Sequence, residues 1–473
     1  MRNINFQKSF IGIAAGNGLT LFLGLWSNAL LASKFGLSTE TEEYFIFLVC
    51  GVAAPSIIGS TVTTVLGKNI TKYWFGGHKS KRILFHIVMV LVLNAIMTYL
   101  IFFIANETSD SEIQNRFPEL ITFSSFQLIV LLLQSTLFAN HRNLFSTGSG
   151  TIIPIVVIIF LTTSPSIDSV IIGQILGIVL QTLFLFLYSS KYLPKDIYYK
   201  NEASSLTLPL TLNIIQNIVI SLFNFGARKS LAGIQGNSLS TYSVAEKIPL
   251  SIHNLTSNSI GLEILYFDES HRVRIRSQLR ERLDLIHSFT ATVFLTFYFA
   301  GPMLYTHVFV QGKFTESNLV AVLEVVMLLL LGNIINGFNA ILNGFMYSSG
   351  QSNFLSLLGL IQFTSMFFVL TIVERLQSPS GLASLLLVGA LLGSFIRVFL
   401  GTRKLGTDFQ QMFKFCFYKM ILTLLLAGAL ALGNISDISK VLLSLTIIIV
   451  HLLTSRPYNL LRVNNLRESV LNK

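Results

Sequence analysis

The chain is a succession of apolar runs, each about as long as a bilayer is thick. A membrane-crossing α-helix needs ~20 mostly apolar residues to span ~30 Å of hydrocarbon. Fourteen stretches fit: 9–33, 44–66, 83–104, 120–138, 149–164, 169–190, 205–226, 239–265, 285–310, 319–347, 353–373, 381–402, 415–433 and 438–455. The fifth is the shortest and the eighth the least hydrophobic. A transmembrane β-barrel would show alternating segments of ~10 residues, not unbroken runs such as 83–104. Hydrophobic residues make up 52% of the chain and charged residues 12%, where soluble domains carry ~25% charged residues. Too little polar surface remains to cover a water-soluble core. The expected fold class is an all-α polytopic membrane protein of about fourteen spans.

The placement of charge tests that count. With the N-terminus in the cytoplasm and the sides alternating, 23 of the 33 Lys and Arg residues fall on the cytoplasmic side, 7 on the other, and Lys247, Arg397 and Lys419 within spans. This is the positive-inside bias of a multi-pass membrane protein, and it places both termini in the cytoplasm. It also accounts for the net charge of +11 without nucleic acid. Arg228 and Lys229 fall in an external loop on this reading. Arg397 and Lys419 lie near cytoplasmic span ends, from where long basic side chains reach the interface. Five arginines, Arg272, Arg274, Arg276, Arg280 and Arg282, serve topology or contact anionic headgroups equally well. The first run reads as a span rather than a cleaved signal peptide. The loops are short and no Walker A motif is present. Cys50 and Cys416 lie in apolar runs, and the histidines show no metal-like spacing. An enzyme is not expected, nor a metal or other cofactor.

A weak internal repeat divides the chain. Leu30-Leu31-Ala32-Ser33-Lys34-Phe35-Gly36 precedes Tyr44, and Arg228-Lys229-Ser230-Leu231-Ala232-Gly233 precedes Tyr242; Pro55 and Pro249 follow in the next spans. The offset, just under 200 residues, is about six spans. The expected organisation is an N-lobe over 1–200, a C-lobe over 201–405, and a C-terminal helix pair with a tail over 406–473. In repeat-built transporters the substrate site lies between the repeats.

Polar side chains are costly in hydrocarbon, so a stripe of them on one helix face should meet protein or water. At 100° per residue, Asn17, Thr20, Gly24, Ser27 and Asn28 share an arc of span one. Asn213, Gln216, Asn217 and Asn224 do so in span seven, and Asn333, Asn336, Asn339 and Asn343 in span ten. For span ten, hydrogen bonding between helices is the favoured reading. Span eight is polar over half its circumference, with Tyr242, Ser243, Glu246, Lys247, His253, Asn254, Ser257 and Asn258, which points to a water-filled cavity. Lys247 then supplies a cation for an anionic headgroup, with Glu246 as its orienting partner; a purely structural charge pair is the competing account. The candidate cavity residues are Asn17, Asn28, Asn213, Asn217, Asn224, Glu246, Lys247, His253 and Asn254.

Three segments resemble the MurJ/MviN family of lipid flippases: residues 24–36 followed by Thr41-Glu42-Glu43-Tyr44-Phe45; Tyr242-Ser243-Val244-Ala245-Glu246-Lys247-Ile248-Pro249; and Gly312-Lys313-Phe314-Thr315-Glu316 ahead of a long span ending Phe345-Met346-Tyr347-Ser348. The resemblance implies the MATE-like flippase superfamily, with two six-helix lobes around a central hydrated cavity and two added C-terminal helices. It implies movement of an undecaprenyl-linked sugar across the bacterial inner membrane by alternating access. A membrane potential or a Na⁺ or H⁺ gradient would drive that movement. Implied partners are the lipid-linked sugar, membrane lipids and other envelope polysaccharide biosynthesis proteins. The chain departs from the family at Ser27-Asn28, where an arginine–acid pair is expected, and at Lys247, where the family has arginine. Lysine keeps the charge but lacks the bidentate fork suited to phosphate. A glycolipid export pathway other than lipid II is therefore favoured. The alternatives are a MATE-type cation-coupled exporter of small molecules, which usually needs buried carboxylates, and a non-transporting scaffold.

Overall fold

The computed structural model describes residues 6–61, 80–106, 116–139, 142–190, 207–232, 238–254, 272–310, 312–373, 376–432, 444 and 446–447. The described regions are almost entirely helical. The N-terminal half holds α1 (Phe6–Phe35), α2 (Thr39–Thr61), α3 (Ser80–Asn106), α4 (Phe117–Ala139), α5 (Asn143–Gly148), α6 (Ile152–Thr163) and α7 (Ile167–Ser189). The second half holds α8 (Thr207–Ala232), α9 (Ser238–His253), α10 (Arg272–Phe309), α11 (Glu316–Ser348), α12 (Ser352–Ile372) and α13 (Pro379–Phe399), and α14 (Thr407–Leu432) follows. Thirteen of the expected spans fall on these helices; the last, 438–455, lies almost wholly outside the described residues, as do 255–265 of the eighth and the C-terminal tail. Among the described residues, nine stretches are long and apolar enough to cross a membrane. Their outward faces are apolar: Leu187 is 69%, Val320 71% and Ile372 76% exposed. Only lipid makes so much exposed hydrocarbon tolerable, and the chain is a multi-pass membrane protein.

Local chemistry sets the helix boundaries. The Ser166 hydroxyl accepts the Ser169 N–H at the start of α7, and Ser378, followed by Pro379, caps α13 through the Gly381 N–H. Both follow the preference for a hydroxyl at the N-cap and proline just inside. The fifth span bends where Gly148-Ser149-Gly150 interrupts it, and a 3-10 turn over Ser149–Thr151 joins α5 to α6. The groups near this break find partners in neighbouring helices. Gln181 of α7 donates to the Ser149 hydroxyl at 3.1 Å, and Gln134 of α4 to the Ser146 carbonyl at 3.0 Å. Helix α1 packs so close here that a Cβ on Gly16 would stand 2.7 Å from the Gly148 nitrogen. At its N-terminal end α10 is 38 residues long, ~57 Å of helix against ~30 Å of hydrocarbon. The arginine series over 272–282 is its first turns.

Helix neighbours repeat with a shift of six spans. In the first half, α1 packs on α5 and α6, α2 on α4, α3 on α4, α4 on α7, and α6 on α7. Their equivalents in the second half pack as α8 on α12, α9 on α11, α10 on α11, α11 on α13, and α12 on α13. Between the halves, α1 meets α9 and α2 meets α8, two contacts that the same shift exchanges. Helix α14 lies against α10, α11 and α13 of the second half.

Helix α14 is fastened by charge. The Lys419 ammonium is 2.8 Å from an Asp284 carboxylate oxygen of α10, with side-chain exposures of 3% and 20%. Arg280, one turn earlier, lies 4.0 Å from the other oxygen. His287 bonds the Thr423 hydroxyl at 2.9 Å. Lys419 therefore does not reach for the interface as expected; its charge is neutralised inside the bundle. Removing one member of a buried pair leaves the other uncompensated, at ~3–5 kcal/mol. Lys419→Met is expected to lower stability by that amount, read from unfolding in detergent, and Asp284→Asn in the same chain to restore most of it.

Candidate functional site

The two halves meet where α1 packs on α9 and α2 on α8. Glu246 forms its ion pair with Arg228 of α8 and not with Lys247: one guanidinium nitrogen is 2.7 Å and 2.9 Å from the two carboxylate oxygens. Arg228 is not in a loop, as the charge pattern predicted, but in the penultimate turn of α8. Its guanidinium lies 6.0 Å from the centre of the Tyr242 ring, one turn before Glu246. The adjacent Lys247 turns away and crosses to the other half, its ammonium 5.5 Å from the centre of the Phe45 ring on α2. Among the described residues, no carboxylate lies within salt-bridge distance of it. Arg228, Glu246 and Lys247 thus form a cluster of net charge +1 at the seam, backed by aromatic faces that attract cations. The two tyrosines of the sequence repeat are both buried and each is held within its own half: Tyr44 accepts the Gln174 amide of α7 at 2.6 Å, while Tyr242 supports Arg228.

The other expected cavity residues divide into two groups. Asn17 reaches across the seam and donates to the Asn254 carbonyl at 2.9 Å. His253 is partly exposed beside it, and its Nδ1 has no hydrogen-bond partner. Asn28 folds back onto the Gly24 carbonyl of its own helix at 2.6 Å, next to open space: a Cβ on Gly24 would meet nothing within 4 Å. Asn213 and Asn217 face away from the seam. Asn217 donates to the Asn213 side chain, and Asn213 to Tyr347 of α11 and Ser356 of α12. Asn224 is exposed on α8. In span ten the asparagines join helices, as expected: Asn333 donates to the Pro249 carbonyl of α9 and Asn339 to the Ala390 carbonyl of α13. Ser257 and Asn258 lie outside the described residues.

A seal closes the seam at the end formed by the α1–α2 and α10–α11 turns. The Glu42 carboxylate of α2 stands beside the backbone N–H groups of Leu239 and Ser240 at the start of α9, an anion on the positive end of a helix. The Lys313 N–H donates to the Ser33 carbonyl of α1 at 3.0 Å. Gly36 and Gly312 adopt positive φ of 69° and 61°. A Cβ on Gly312 would sit 2.2 Å from the Ser33 carbonyl oxygen, so only glycine permits this approach. The acid at Glu42 and the glycine at Gly312 stood in segments the sequence singled out, but nothing in the sequence said that they faced the opposite half.

No family model and no curated protein matches the sequence. Solved structures do match in fold. The lipid II flippase MurJ in an inward closed conformation is 17% identical, with 94% of this chain and 98% of that chain covered and a TM-score of 0.67. The Vibrio cholerae MATE transporter VcmN is 14% identical over 88% of this chain and 99% of that one, TM-score 0.54. A MOP superfamily transporter from Pyrococcus furiosus, described as having a binding pocket of reversed polarity, is 10% identical over 89% and 96%, TM-score 0.59. The chain therefore has the fold shared by these flippases and MATE transporters.

The seal generates a direct test. Gly312→Ala adds a left-handed-conformation cost of ~1–2 kcal/mol to the clash with Ser33. A cysteine placed at Ser33, in a chain without Cys50 and Cys416, is expected to react faster with a water-soluble maleimide when Gly312→Ala is present. Equal rates would mean that the turn does not close the seam.

Proposed function

We propose that this chain is a flippase that moves an undecaprenyl-linked oligosaccharide, or a related glycolipid, across the bacterial inner membrane by alternating access. The observation that carries the reading is the Lys247 ammonium, which lies at the seam between the halves with no carboxylate of the described residues within salt-bridge distance. With Arg228 already committed to Glu246, Lys247 provides the positive charge for a headgroup phosphate or sugar acid. Phe45 holds the cation at the seam until the anion arrives. Asn17, Asn28, His253 and Asn254 supply amide, carbonyl and imidazole groups that suit a sugar. The lipid tail stays among the apolar outer faces.

With both termini in the cytoplasm, the seal made by Glu42, Gly312 and Ser33 lies on the external side, so the conformation described is closed outward. The energy source in this reading is the membrane potential or an ion gradient. A MATE-type cation-coupled exporter is the weaker reading, because the inner carboxylates Glu246 and Asp284 are already neutralised by Arg228 and Lys419. Membrane lipids and neighbouring polysaccharide biosynthesis proteins complete the proposed setting.

The deciding experiment measures surface polysaccharide and lipid-linked intermediates in cells carrying Lys247→Ala, Lys247→Arg or Glu246→Gln. Lys247→Ala is expected to lower export at least tenfold and to accumulate the intermediate, whereas Lys247→Arg retains export. Normal export by both Lys247→Ala and Glu246→Gln would refute the headgroup site. A disulfide between cysteines placed at Ser33 and Lys313 is expected to stop export, and a reductant to restore it. Full export with the disulfide formed would refute alternating access across this seam.

A further inference from the structure

A second cation is buried away from the seam, inside the second half. Arg397 lies in the last turn of α13 and is 8% exposed. It does not snorkel, as its place near a span end predicted. Its Nε and Nη1 are buried and, among the described residues, have no hydrogen-bond partner; its bond from Nη2 to the Gln362 side-chain oxygen of α12 is long at 3.5 Å. Among the described residues no carboxylate lies within salt-bridge distance of it. Arginine does not shed its proton to escape burial, and an unpaired buried charge is among the most costly groups a membrane protein can hold. The negative end of the α13 dipole offsets about half a charge at most.

The surroundings are built for this guanidinium. A Cβ on Gly393, one turn earlier, would fall 2.5 Å from Nη1 and 2.4 Å from the Gln362 oxygen, so that glycine makes the niche. Tyr347 of α11 lies within electrostatic reach of Arg397. Asn213 donates to the Tyr347 and Ser356 hydroxyl oxygens, at 3.4 Å and 3.3 Å. Each hydroxyl accepts there and keeps a hydrogen of its own to donate. Gln362 has its amide nitrogen committed to the Gly389 carbonyl at 2.9 Å. Among the described residues the groups still free here are donors, and no carboxylate accompanies them.

We propose that Arg397, with Gly393 and the Tyr347–Ser356–Asn213 triad, forms a site for a small monovalent inorganic anion such as chloride. One negative charge neutralises one guanidinium, whereas a divalent phosphate would leave net charge in a buried niche. The site is separate from the seam cluster. It shares α8 with that cluster, since Asn213 and Arg228 lie 15 residues apart on that helix, ~22 Å along its axis.

The test uses the full-length wild-type protein purified in detergent, with sodium bromide as the probe and sodium gluconate as the control at equal ionic strength. Bromide is expected to raise the melting temperature saturably, and chloride to compete with it. Crystals grown with bromide are expected to show an anomalous peak in contact with the Arg397 guanidinium. Arg397→Gln is expected to melt at the same temperature in both salts, while Lys247→Ala retains the bromide shift. Equal melting of the wild type in bromide and gluconate would overturn the proposal without any variant. So would a bromide shift that survives Arg397→Gln, or anomalous density elsewhere only.

Discussion

An ionised side chain inside a bilayer has no water to screen it, so each one must be compensated where it stands. This constraint decides the position of every buried charge described here. Arg228 is answered by Glu246, and Lys419 by Asp284 with Arg280 close by. Lys247 rests on the face of Phe45, and Arg397 keeps only a long bond to Gln362. All lie at helix–helix seams and none on the lipid-facing surface. The pairing is also structural. Neutralising a buried pair with apolar residues is often harmless, whereas breaking it is costly, so each pair fixes which helices must stay together.

The two halves are alike in packing and unlike in charge. Under the six-span shift, α1 with α5 corresponds to α8 with α12, and α4 with α7 to α11 with α13. In the first half that layer is held by neutral groups: Gln181 with Ser149, Gln134 with Ser146, and Thr20 with the carbonyls of Gly16 and Thr147. In the second half the corresponding layer contains Arg397, and the Lys419–Asp284 pair is added against α14. Packing is thus repeated between the halves while the buried charges lie in the second half and at the seam; the ion pair of the first half, Arg116 with Asp168, joins α4 to α7 at an exposed end.

The fold was legible because its cause is local. Length and hydropathy determine a span, and thirteen runs fall on helices, although α10 and α14 begin well before the apolar runs they carry. The asparagines of span ten were legible for the same reason: an amide facing apolar neighbours must find a partner, and Asn333 and Asn339 do. What the sequence could not supply was the identity of that partner. Helical periodicity gives a residue's azimuth and not the helix opposite it. Arg228 lies two residues past the apolar run 205–226, beside Lys229, and reads as loop; its carboxylate is on the next helix. Lys419 reads as a snorkelling residue because Asp284 lies 135 positions earlier. Asn213 shares an arc with Gln216 and Asn217, but that arc turns into α11 and α12 rather than toward the seam. Span eight was half legible: its charges stand out, but the sequence pairs Glu246 with Lys247, whereas neighbours that point ~100° apart find separate partners, Arg228 and the Phe45 ring.

The strength of the closure between the halves bears on whether they can separate. At the α1–α2 end, among the described residues, its polar part is one neutral backbone hydrogen bond, from Lys313 to Ser33, and the Glu42 carboxylate at the first turn of α9. At ~0.5–1.5 kcal/mol for the hydrogen bond and ~0.3–1 kcal/mol for an anion at a helix N-terminus, that polar part is worth roughly 1–2.5 kcal/mol. A ligand reverses a two-state equilibrium from 1:99 to 99:1 with a differential affinity of ~5.5 kcal/mol. The polar part of the seal lies within that range. The seam also carries the packing of α2 on α8 and of α1 on α9, so under the proposed cycle a headgroup would have to offset that apolar contact as well as the polar latch.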